Sequence, residues 1–129
     1  VSEERTKLLA TEILDYAEIV ATAVTQLRLR DIDFADLRFA HPDLSDADYG
    51  VYATDPPSEI FNPTGGGIVY RDPTNDVLTD GAQQYTFISS TEIEQIGTTC
   101  GNANCSDLLM MIEDVEPEIC LEINNLLGI

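Results

Sequence analysis

From about Glu4 to Arg28 apolar residues return every three or four positions. Leu9, Ile13, Tyr16, Val20, Ala23, Val24 and Leu27 therefore share one side of a helix. Glu3, Glu4, Lys7, Glu12, Asp15, Glu18 and Gln26 fall largely elsewhere. No Gly or Pro interrupts the run, and Ala, Leu and Glu, all favourable in helices, dominate it. Ser2 is placed to cap the start, and Arg28 and Arg30 complement the negative pole of the helix dipole. At ~1.5 Å per residue such a helix is about 37 Å long, more than a body of this size needs for its core.

After residue 30 the period is lost. Ile32-Asp33-Phe34 and Leu37-Arg38-Phe39 alternate as edge strands do, and Glu59-Ile60-Phe61 suits a short turn of helix or strand. Pro42, Pro56, Pro57 and the cluster Asp43 to Gly50 break any longer element. Strand patterning begins after Gly65-Gly66-Gly67. Ile68 to Arg71, Gln84 to Ile88, Glu92 to Gly97 (which also suits a helical turn) and Leu108 to Ile112 are the extended segments, the last continuous, apolar and expected to be the most buried. Pro117 suits the first turn of a closing helix, with Ile119, Cys120, Ile123, Leu126 and Leu127 on one side and Gly128 as its stop. The fold class is α+β: a long N-terminal amphipathic helix packed on a small antiparallel β-sheet, with a short C-terminal helix. One domain spans 1–129, made of a helix at 1–30, an irregular connecting region at 31–64, and a β-rich body at 65–129 that includes the closing helix at 117–127.

Charge narrows the partners. Twenty-four acidic residues face six basic ones, for a net charge of -18. Nucleic acid and anionic lipid surfaces are excluded, because both are bound through Lys and Arg. The acidity reads first as a solvated surface and second as a means of binding cations. A run of 18 apolar residues is lacking, so the chain as it stands reads as water-soluble.

Few residues suggest chemistry. The triple glycine lacks the helix and the Lys-Ser/Thr pair that a phosphate loop needs, so it reads as a permissive turn entering a sheet. His41 is the lone histidine, far in sequence from the cysteines, and neither a zinc site nor an activated thiolate is indicated. No catalytic residue is assigned, and the chain is read as a non-enzyme without a cofactor. Calcium is the one cation with candidates: Asp72, Asp76 and Asp80 crowd the loop before Gly81, where turn-forming Asp is the competing role. Cys100 and Cys105 enclose four turn-forming residues and are the disulfide candidates, which implies an oxidising compartment. Either could pair with Cys120 instead, so three pairings stay open.

The order of parts resembles the soluble portion of type IV pilin-like proteins, the family of pilus subunits and type II secretion pseudopilins. Ala10 to Ala17, continuing through Leu27-Arg28-Leu29-Arg30, looks like the amphipathic half of the pilin helix. Phe61-Asn62-Pro63-Thr64-Gly65-Gly66-Gly67-Ile68-Val69-Tyr70 is similar to a turn-and-strand entry of minor pilin-like proteins, and Cys120 to Ile129 resembles their closing helix. The resemblance implies a pilin-like fold and a non-catalytic structural subunit, pilin or pseudopilin, of a type IV pilus or type II secretion filament. It further implies other pilin-like subunits and filament assembly proteins as partners, and an inner-membrane anchor through an apolar helix that this chain lacks. The expected location is the periplasm or a cell-surface filament of a Gram-negative bacterium, and the chain without its anchor is expected to be monomeric. Leu8, Leu9, Ile13, Tyr16, Val20 and Leu27 form the candidate assembly face. Within it, Ile13 to Leu27 reads as core packing, and Leu8 and Leu9 as presented to a partner. The alternative is an exported adhesive or calcium-dependent ligand-binding module.

Overall fold

The computed structural model describes residues 2–43, 51–79, 83–91 and 107–129. The α+β layout expected above is the one the chain adopts. It has a helix α1 (Glu3–Leu29), a two-stranded antiparallel sheet of β1 (Thr86–Thr91) and β2 (Asp107–Met111), and a helix α2 (Pro117–Leu127). Short 3-10 turns lie at Phe34–Asp36, Pro56–Ser58 and Asn75–Val77.

Both ends of α1 are closed by local chemistry. The Ser2 hydroxyl accepts the Arg5 N–H at 3.2 Å, and the Ser2 carbonyl accepts that of Thr6 at 2.9 Å. At the far end Asp31 takes a left-handed φ of 65° where glycine is usual, and the Ile32 N–H reaches back to the Leu27 carbonyl at 3.3 Å. Gly128 stops α2 in the same way, with φ 75°.

The contacts of the chain fall into two compact units. One comprises Val1–Ile19, Arg71–Tyr85 and Ile112–Ile129, the other Val20–Tyr70 and Thr86–Met111. In the first, Leu9, Ala10 and Ile13 of α1 pack with Val77, Leu78 and Ile119, flanked by Ile112, Val115 and Ile123. Two short segments are held under the helix by an antiparallel bridge between Leu78 and Val115. Its flanking bonds run from the Thr79 N–H to the Asp114 carbonyl and from the Glu116 N–H to the Val77 carbonyl, both 2.7 Å.

The second unit is built on aromatic rings. Phe39 stacks on Phe87 with centroids 4.5 Å apart, Phe61 meets both, and His41 lies flat against Tyr70 at 3.7 Å. Beside them Glu59 is fully buried. Its carboxylate accepts the N–H groups of Ala53 (2.8 Å) and Asp55 (3.0 Å) and the Asn62 side-chain amide (3.3 Å). Ala53 sits at φ 67°, a strained value for alanine that this carboxylate helps to hold. The glycine turn packs against the same residue: the Gly66 N–H donates to the Glu59 carbonyl at 2.9 Å, and Arg30 donates to the Gly65 carbonyl at 3.1 Å.

Several extended segments differ from the sequence expectation. Phe34–Asp36 turns as a 3-10 helix, and the expected edge strands reduce to one parallel bridge between Arg38 and Glu59. Ile68 to Arg71 joins no ladder among the described residues, and the Arg71 N–H donates instead to the Tyr16 hydroxyl at 2.9 Å. β2 forms where expected, but Leu108, Leu109 and Met110 are only half-buried and Met111 is exposed. β1 and β2 pair from Thr86↔Met111 to Thr91↔Asp107, with a bulge after Ile88. Glu92 to Gly97 lies outside the described residues.

Candidate functional site

In the first unit α1 and the segment 71–74 border a groove of about 510 Å³. Its floor is apolar, set by Leu9, Ile13, Tyr16, Val77 and Tyr85, all buried. Its rim is acidic, with Glu12 and Asp15 from α1 and Asp72 from the facing segment, all exposed. Helical geometry explains the α1 wall. Glu12, Asp15 and Ile19 follow each other at steps of three and four residues and so share one face, beside the face that carries Leu9 and Ile13 into the core.

One cation already lies in this groove. The Arg71 guanidinium stands over the Tyr16 ring, 4.7 Å from its centroid, while the Arg71 N–H bonds to the same residue's hydroxyl. Tyr85 packs on Tyr16 with centroids 5.5 Å apart. Burial raises the Tyr16 phenol above its ordinary value, against the opposing pull of the Arg71 N–H and charge. Burial also pushes the Tyr85 phenol up to about 12, helped by Tyr16 and Glu12 and opposed by Arg71.

An alkaline stability profile follows. The unfolded chain loses the Tyr85 proton near the ordinary pKa of 10.0, and the folded chain only near 12. Stability is therefore unaffected below the first value and falls as the pH rises from it toward the second. Urea midpoints across this range should decline for the native chain and decline less for Tyr85→Phe. Equal declines would show that the phenol is not the titrating group.

The residues singled out by sequence are dispersed. Of the candidate assembly face, Leu9, Ile13, Tyr16, Val20 and Leu27 are buried by the chain itself, and only Leu8, at 55% exposure, is open. Leu9, expected with Leu8 at a partner surface, lies instead in the core with Ala10 and Ile13, because one residue turns the helix by about 100°. Asp72 lines the groove rim, Asp76 forms an exposed ion pair with Arg5, and Asp80 lies outside the described residues. Among the described residues no group of three or more His, Cys, Asp or Glu side chains is placed to hold a metal ion. Cys120 is an exposed free thiol on α2, and Cys100 and Cys105 lie outside the described residues. On α2 only Ile119 is buried and Ile123 half-buried; Cys120, Leu126 and Leu127, expected on the same covered side, are exposed. His41 is buried against Tyr70 and Phe61. No helix among the described residues is long and apolar enough to cross a membrane.

Sequence reading missed the groove because its walls come from distant segments. Tyr16 and Arg71 meet across 55 positions, and no local motif announces such a contact. The chain matches no known protein family, no curated protein and no solved structure.

Proposed function

We propose that this chain is a non-catalytic structural subunit, pilin or pseudopilin, of a type IV pilus or type II secretion filament. It would belong to the periplasm or cell-surface filament of a Gram-negative bacterium, with an inner-membrane anchor before assembly and pilin-like subunits and assembly proteins as partners. The observation that supports this reading is α1. It runs 27 residues without a break, about 40 Å at ~1.5 Å per residue, whereas the mean globular helix has about 12 residues. Its own chain buries one face, and off that face Leu8, Ile19 and Leu29 stand exposed at 55%, 41% and 78%. A helix of this length with uncovered leucine and isoleucine suits a stem that meets neighbours in an assembly. Glu3, Glu4 and Lys7, exposed at the start of α1, would set register between subunits more than affinity.

The reading makes a genetic prediction. In the gene, α1 should be preceded by a short basic leader and a segment of about 20 apolar residues, long enough to span a bilayer. An open reading frame with a polar or unrelated segment ahead of α1 would remove the filament reading.

A further inference from the structure

We propose that the groove between α1 and residues 71–74 docks a basic segment of a partner protein, one that alternates apolar residues with Lys or Arg. On the α1 wall Glu12 and Asp15 set two carboxylates beside the exposed side chain of Ile19. Asp72 supplies a third carboxylate from the opposite wall, over a floor of buried apolar residues. Three carboxylates stand against one guanidinium, so the rim carries an excess of two negative charges. That guanidinium, Arg71, rests on the Tyr16 ring of the floor.

The occupant is thereby constrained. An apolar side chain on this floor leaves water, and a flanking ammonium or guanidinium meets Glu12, Asp15 or Asp72 at the edge, where desolvation is slight. A second copy of the chain is a poor candidate, because it brings the same -18 charge and only six basic residues. Among those, Arg5 is paired with Asp76 and Arg30 is bonded to the Gly65 carbonyl. The proposal depends on the groove alone and stands or falls separately from the filament reading.

Fluorescence anisotropy with a short labelled peptide of alternating leucine and lysine tests it. The same peptide with glutamate in place of lysine serves as the comparison. Two double variants of equal charge change are needed, since any chain this acidic attracts a polycation. Asp15→Asn with Asp72→Asn alters the rim; Glu113→Gln with Glu118→Gln alters exposed carboxylates that do not line the groove. Circular dichroism confirms that both keep the fold. The expected result is binding of the lysine peptide alone, weakened roughly tenfold or more by the rim variant and less than about twofold by the other. Equal weakening by the two variants would overturn the proposal, as would no binding of the lysine peptide or equal binding of both peptides.

Discussion

Gly65→Ala is expected to destabilise the second unit by about 3 kcal/mol or more. A Cβ at Gly65 would overlap the backbone carbonyl of Glu59 and come within 2.6 Å of the Pro56 carbonyl oxygen. Backbone atoms cannot swing aside as a side chain does. The turn is also fastened on every side: the Gly65 N–H donates to the Asn62 carbonyl at 2.9 Å, its carbonyl accepts Arg30, and the Gly66 N–H holds Glu59. Gly67 supplies the internal control. It adopts φ 76° but a Cβ there meets nothing within 4 Å, so Gly67→Ala carries only the left-handed penalty of about 1 kcal/mol. Urea unfolding monitored by circular dichroism should rank the two variants in that order. Equal midpoints would mean that the close approach at Gly65 is not a constraint.

The second large effect is at Glu59. Replacing it with leucine leaves the Ala53 and Asp55 N–H groups and the Asn62 amide without their acceptor, at an expected loss of about 3 kcal/mol. Glu59→Gln is the informative comparison, since it keeps the shape and turns one acceptor oxygen into a donor that faces another donor. Its loss should be about 1–2 kcal/mol. Strain makes the effect local as well: without the carboxylate, Ala53 has less reason to remain at φ 67°. Amide hydrogen exchange at Ala53 and Asp55 should therefore accelerate in both variants. Unchanged protection at these two amides would contradict the account of Glu59 as the organiser of this loop.

What the sequence made legible follows from the range of the forces involved. Helix periodicity, the Ser2 cap, the Pro117 start and the Gly128 stop are local, and each lies where the pattern placed it. The triple glycine is legible as a turn, although its reason is a packed contact with Glu59 and Pro56 and not entry into a strand. Strand pairing depends on neighbours distant in sequence. Ile68 to Arg71 has strand composition, yet the Tyr16 hydroxyl takes the Arg71 N–H that a ladder would have used. Glu59 was read only as part of a short turn, because a buried carboxylate and a solvated one look alike in an acidic chain. Leu8 and Leu9 were indistinguishable as neighbours at the helix start; one step of about 100° puts one in water and the other in the core.

Fractionation of cells that express the full gene at its native level tests the assembly role most directly. If α1 is the stem of a filament subunit, the protein will be found in the inner membrane and in filaments sheared from the surface or drawn from the periplasm, and loss of the assembly machinery will empty the filament fraction. Recovery of all the protein in the soluble fraction, unchanged by that loss, would contradict the proposed function.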